Sequence, residues 1–263
     1  MTRIGFIGGG KMAEALISRL GSPQRIIASD ISRKRLNYLK KKYKIKITPD
    51  NLDVFACDIV ILAVKPQNMA GVLMGLRNAE RVTRKRKIII SIAAGVSLKY
   101  LQKNLPDCQI IRAMPNNPAL VGAGMTALAK GKRVTPYVLR VTKGIFQTVG
   151  EVIEVPERLM DAVTGLSGSG PAYVYLMIEA LASAGEKLGI AKKEAEKLAV
   201  QTVLGAAKTM KETGKTAKEL REMVASPGGT TIEGLKVLEK RKFSEALVEA
   251  VKAAAEKSKK LSQ

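Results

Sequence analysis

The chain of 263 residues contains no histidine, no tryptophan and only two cysteines. Without histidine there is no Ser-His-Asp triad, no Cys-His nucleophile and no imidazole base. Two cysteines without histidine cannot complete the usual four-ligand zinc site, so no metal centre is expected. Cys57 and Cys108 lie far apart in the chain with no CxxC spacing, and they read as reduced core thiols of a cytoplasmic protein. No signal-peptide pattern is seen: Met1–Gly10 runs straight into a glycine cluster. No uninterrupted apolar stretch reaches the roughly 18 residues of a spanning helix. Asp161–Ala184 comes nearest and is broken by Gly165, Gly168, Gly170 and Pro171, so no membrane association is expected.

Acidic residues are scarce in one half. Residues 1–150 hold 27 of the 45 Lys+Arg but only 7 of the 23 Asp+Glu, and the remainder is almost balanced. This asymmetry predicts two domains, 1–155 and 156–263, in keeping with the length. The basic half should attract anions, either a phosphorylated cofactor or nucleic acid, unless its lysines merely solvate the surface. Phe and Tyr are few and no nucleic-acid-binding signature is present, so nucleic acid is not the expected partner.

Arg3–Ile7 reads as a strand stopped by Gly8-Gly9-Gly10. Met12, Ala15, Leu16 and Leu20 then fall at helical spacing, and Gly21-Ser22-Pro23 ends that helix. Ile26–Ala28 is a second strand and Arg33–Lys42 a basic helix. Ile59–Val64 and Ile88–Ala93 are continuous apolar runs of strand length, the pattern of strands buried on both faces. Strands alternating with helices predict an α/β fold, a doubly wound parallel sheet of the Rossmann type. Beyond residue 155 the pattern is all-helical, over Ala172–Leu188, Lys192–Glu212 and Phe243–Leu261. The first of these is apolar almost all round. A small domain cannot bury such a helix alone, so it should pack against a second copy of the chain.

Gly8-Gly9-Gly10-Lys11-Met12-Ala13 fits G-x-G-x-x-A between a strand and a helix, the context in which the motif binds a dinucleotide. Gly8 permits the tight turn, Gly10 lets the backbone approach a pyrophosphate, and the helix N-terminus presents free N–H groups. Asp30, 22 residues after Gly8, stands next to Ser29 where an acid holds the ribose of NAD. It could instead cap the next helix. Ser32, Arg33, Lys34 and Arg35 follow at once and could hold a 2′-phosphate. The basic half favours NADPH and Asp30 favours NADH, and the sequence leaves both open. Ala63-Val64-Lys65-Pro66-Gln67 follows another strand and falls where ligands sit. Arg112–Pro118 reads as a loop after a strand. Ser167–Tyr173 reads as a glycine loop opening a long helix, and Ser226-Pro227-Gly228-Gly229-Thr230-Thr231 opens another, with Ile232 beginning it. Such starts bind carboxylates through N–H and hydroxyl groups, or the hydroxyls simply cap the helix.

These stretches together resemble pyrroline-5-carboxylate reductase. The match runs through Gly5–Ala13, Ile59–Gln67, Ser91–Val96, Met114–Leu120, Asp161–Tyr173 and Ser226–Leu235 in the family's order, across almost the whole chain. Asn117 departs from it, where many members have Thr, as does Asp30, where relatives often carry Ser or Asn. The resemblance implies an N-terminal Rossmann domain and a C-terminal all-helical domain that interlocks in a homodimer, with dimers assembling further into decamers. It implies hydride transfer from NADPH or NADH to the C=N carbon of Δ1-pyrroline-5-carboxylate, giving L-proline. Carried over residue by residue, Ser226, Gly228, Gly229, Thr230 and Thr231 would hold the substrate, Thr231 meeting the ring nitrogen as the catalytic residue, with Glu157 at the pocket. Ile7, Gly8, Gly9, Gly10, Lys11, Met12, Asn51, Ala63, Val64, Lys65, Pro66, Ile92, Ala93 and Ala94 would line the cofactor, with Ser29, Asp30 and Arg33 at its ribose. A related imine or 3-hydroxyacid reductase and a basic nucleic-acid-binding protein are the alternatives.

Overall fold

The computed structural model describes residues 2–83 and 87–261. Eight strands form one sheet: β1 (Ile4–Ile7), β2 (Ile26–Ser29), β3 (Lys46–Thr48), β4 (Ile59–Leu62), β5 (Ile88–Ser91), β6 (Gln109–Met114), β7 (Gly124–Lys130) and β8 (Gly150–Glu154). Their order is β3-β2-β1-β4-β5-β6-β7-β8. β1 to β6 run parallel, β7 lies antiparallel to β6, and β8 is parallel to β7. The chain reverses its direction of winding between β1 and β4, which opens a crevice at their carboxyl ends.

The apolar runs lack alternation because both faces of the sheet are covered. Phe6, Ile59, Ile61, Ile88, Ile90 and Ile111 feed one core. Their neighbours Ile7, Val60, Leu62, Ile89 and Ile110 feed the other. Pleating sends successive side chains to opposite sides, so a strand between two cores needs an apolar residue at every position. Cys57 and Cys108 are free and buried.

Several expectations need correction. Arg112, Ala113 and Met114 lie inside β6, so the loop begins only at Pro115. Ser167–Tyr173 is not a glycine loop. Thr164–Gly168 forms a π-helical turn, closed by the Ser169 N–H donating to the Thr164 carbonyl at 2.8 Å, and a helix follows at Gly170–Lys187. Asn116 fixes this turn by donating to the Ser167 carbonyl and hydroxyl at 3.1 and 3.3 Å.

The chain forms two compact units, residues 1–169 with 252–263, and residues 170–251. The sheet ends at Glu154. In the first unit the last helical turns return to the sheet domain: the Ser258 hydroxyl donates to Asp161 Oδ1 at 2.7 Å. A Cβ on Gly95 would lie 3.0 Å from Leu261.

The second unit contains the helices Gly170–Lys187, Lys192–Thr213, Ala217–Val224 and Thr230–Lys240, and the start of Phe243–Leu261. The first two pack through small residues. Ala182, Ala195 and Ala199 are its buried apolar residues, and a Cβ on Gly185 would come within 3.1 Å of Ala195. Larger apolar side chains stay uncovered, among them Leu176 at 67% and Leu188 at 84% exposure. Among the described residues no helix is long and apolar enough to cross a membrane.

Candidate functional site

In the first unit the glycine turn joins β1 to the helix Lys11–Arg19. Gly8 has φ +99°, in the region that favours glycine, and a Cβ there would meet the Ala63 carbonyl oxygen at 2.7 Å. The turn is therefore pressed against the strand end of β4, and only glycine fits. Gly10 is the N-cap of the helix and carries no side-chain cap. A Cβ at Gly10 would point into open space. The helix thus begins with unsatisfied N–H groups facing an unobstructed approach, which suits a pyrophosphate.

Asp30 follows β2 and braces the turn. Its Oδ2 accepts from the Gly9 N–H at 2.7 Å and its Oδ1 from the Ser32 N–H at 2.8 Å. It does not cap the next helix: the N-cap of Arg33–Tyr43 is Ser32, whose hydroxyl accepts from the Arg35 N–H. The Ser29 hydroxyl donates to Asn51 Oδ1 at 2.7 Å, joining the ends of β2 and the helix Asn51–Phe55.

A cleft of about 760 Å³ opens beside this turn. Of the residues expected at the cofactor, Ile7, Gly8, Gly10, Ser29, Asp30, Asn51, Ala63, Val64 and Lys65 line it. Gly9, Lys11, Met12, Arg33, Pro66, Ile92, Ala93 and Ala94 do not. Gly9 is turned towards Leu39, Met12 and Ile92 pack against one core, and Ala93 belongs to the other. Pro66 lines a neighbouring groove with Gly95, Tyr100 and Leu261. The cleft also takes in Ile31, Gln67, Asn68, Gly71 and Val72. Gln67 ends the stretch already singled out, whereas Asn68, Gly71 and Val72 carry no motif of their own and follow only from their place at the turn after β4.

Behind the turn lies a buried carboxylate. Glu14 is 6% exposed. It accepts from Arg35 at 2.6 Å, from Tyr38 and Tyr43 at 2.9 Å each, and from Lys42 at 3.2 Å. Burial pushes its pKa up, but the bonds from Arg35, the two tyrosines and Lys42 outweigh it and hold the group at about 2, against an ordinary 4.5. Arg35 also donates to the Gly9 carbonyl and, at 3.2 Å, to that of Gly10. Glu14 thereby fixes the guanidinium that holds the turn from behind.

In the second unit Gly228 has φ +73°, and the Gly229 N–H donates to the Ser226 carbonyl at 2.9 Å. Gly229 is the N-cap of Thr230–Lys240, which starts at Thr230, two residues before the expected Ile232, and has no side-chain cap. Ser226, Thr230 and Thr231 are exposed on this tight turn. None of their hydroxyls caps the helix, so hydroxyls and free N–H groups gather at one helix start. Such a start suits a carboxylate. Glu157 belongs to the first unit. It accepts from the Leu98 N–H and pairs with the buried Arg112, which also pairs with Asp161 at 3.6 Å. Among the described residues no cluster of His, Cys, Asp and Glu could hold a metal ion.

The chain is 51% identical over 265 residues to the pyrroline-5-carboxylate reductase of Synechocystis sp., covering 98% of each sequence. This chain belongs to the pyrroline-5-carboxylate reductase family. Residues 157–261 match the family model described as pyrroline-5-carboxylate reductase dimerisation, and residues 3–95 that described as NADP oxidoreductase, coenzyme F420-dependent. Among solved structures, a pyrroline-5-carboxylate reductase from Coxiella burnetii superposes with a TM-score of 0.92 at 39% identity, over 100% of this chain and 99% of that one. The Plasmodium falciparum pyrroline carboxylate reductase, solved with NADP bound, gives 0.89 at 32%, over 100% and 98%. The Rossmann sheet and the helical C-terminal domain are thus those of the pyrroline-5-carboxylate reductases, as the residue motifs implied.

Proposed function

We propose that this chain reduces Δ1-pyrroline-5-carboxylate to L-proline, the last step of proline biosynthesis, as an NAD(P)H-dependent oxidoreductase. What carries the reading is family membership at 51% identity along the whole chain. A bound reduced nicotinamide supplies the hydride. The glycine turn Gly8–Gly10 and the first helix N-terminus hold the pyrophosphate, with Ile7, Ser29, Asp30, Asn51 and Ala63–Lys65 around the nucleotide. Gly9, Lys11, Met12, Arg33, Pro66 and Ile92–Ala94 complete the set as supporting residues. Ser226, Gly228, Gly229 and Thr230 take the substrate carboxylate through hydroxyl and N–H groups. The Thr231 hydroxyl oxygen accepts from the protonated ring nitrogen and orients the C=N bond. Glu157 acts on the pocket by fixing the Leu98 N–H.

This division of labour explains a site without histidine. A cyclic imine is basic and binds protonated, so it is already electrophilic and needs no strong general acid. Orientation and proximity then account for most of the rate. The helical domain, 156–263, is also the dimerisation domain, and the second unit's exposed leucines are the surface a second copy covers. The assembly is a cytoplasmic homodimer that grows into a decamer, with no nucleic acid or membrane partner.

The test follows loss of reduced-nicotinamide absorbance with Δ1-pyrroline-5-carboxylate, open-chain imines and oxo acids. Δ1-Pyrroline-5-carboxylate should be preferred, and Thr231→Ala should lower kcat/KM by more than about tenfold. Near-normal turnover in that variant removes Thr231 from the mechanism. Preference for an open-chain substrate overturns the assignment.

A further inference from the structure

We propose that this chain selects NADH over NADPH, and that Asp30 is the residue that selects. The inference rests on the dinucleotide reading of the glycine turn. Asp30 lines the cleft beside Ser29, Ile31 and Asn51. Its carboxylate is pinned by two backbone donors, Gly9 N–H at 2.7 Å and Ser32 N–H at 2.8 Å. Each oxygen keeps a further lone pair. A carboxylate held at the end of the second strand accepts hydrogen bonds from the ribose hydroxyls of NAD. A 2′-phosphate removes one of those donors and places like charge against the carboxylate.

NADPH would then need a cation to offset that charge, and the nearby cations are otherwise engaged or displaced. Arg35 is closed onto the Gly9 and Gly10 carbonyls and onto Glu14, its side chain only 22% exposed. Lys42 is paired with the same Glu14 at 3.2 Å. Arg33 and Lys34 lie on the outer first turn of their helix and do not line the cleft. Lys65 does line it, but follows β4, across β1 from the strand that carries Asp30. The basic run after β2 is therefore spent on bracing the turn and on the outer surface.

Equilibrium titration of nicotinamide fluorescence measures NADH and NADPH binding without turnover. Competition by ADP-ribose and its 2′-phosphorylated form reports the same subsite without the nicotinamide. The wild-type chain should bind NADH at least about tenfold more tightly than NADPH, the scale of one lost hydrogen bond to a charged group. Asp30→Asn keeps an acceptor for the Gly9 N–H while removing the charge, and Asp30→Ala removes both. Each should shrink the NADH-to-NADPH ratio at least several-fold. Tighter or equal wild-type binding of NADPH overturns the inference and leaves the reductase reading standing, as does an unchanged ratio in both folded variants. Binding of neither nucleotide overturns the two together.

Discussion

Replacing Glu14 with glutamine tests how the nucleotide turn is braced. The folded chain holds the Glu14 carboxylate at about 2 against an ordinary 4.5. Because each pH unit of displacement is worth roughly 1.4 kcal/mol, the charged form contributes about 3 kcal/mol to folding. The group is almost wholly buried, so solvent screening removes little of this. Between about pH 4.5 and about pH 2 the unfolded chain binds the proton and the folded chain does not. Stability from Glu14 is therefore complete above the upper value and is lost as pH falls through the window. Glu14→Gln keeps the shape but removes the charge that Arg35 and Lys42 face. Denaturant unfolding followed by circular dichroism, at one protein concentration, should show a deficit of about 3 kcal/mol near pH 7 that narrows to about 1 kcal/mol near pH 3. A deficit that stays constant with pH, or one under about 1 kcal/mol near neutrality, refutes the reasoning.

Two further perturbations address the turn and the core. Gly8→Ala combines a left-handed backbone with a Cβ 2.7 Å from the Ala63 carbonyl oxygen. It should cost about 1–3 kcal/mol and weaken NADH binding, so a variant with unchanged melting temperature and affinity contradicts the geometry. Burial pushes the Cys57 and Cys108 thiols up, so neither should react with a thiol reagent in the native protein and both should react at once in denaturant. Fast labelling of the native chain would show that the two cores are open.

The parts of the fold legible in the sequence were those with local causes. Ile59–Leu62 and Ile88–Ile90 are apolar at every position because cores lie on both sides. Gly8 announces the turn because no other residue satisfies its φ and its close approach to Ala63, while Gly10 leaves the helix start unobstructed. β3, with Lys46 exposed at the sheet edge, has no such signature, nor has β7, whose antiparallel pairing with β6 is a long-range choice. The same division holds at the site. Asp30 is readable from its distance after Gly8, whereas the closure of Arg35 onto Glu14 joins two helices that no spacing rule connects. Glu14, on the first helix, showed no sign of its role until Arg35, Tyr38, Lys42 and Tyr43 converged on it. Ser167–Tyr173 misled because Gly and Ser suggest a loop, while Asn116 and the Thr164 carbonyl hold its start in a π-helical turn and Gly170 onward is helix.

The return of residues 252–261 to the first unit bears on how the molecule is made. The polypeptide emerges from the ribosome in order, so the nucleotide-binding half cannot be finished until the helical half has already been synthesised. Until then Gly95 lacks its Leu261 neighbour and Asp161 lacks Ser258. The helical half is in turn anchored at both ends, as an insertion rather than an appendage. A nascent chain paused before residue 252 would therefore display a sheet domain with its last stitch missing, a state open to proteolysis that the completed chain is not.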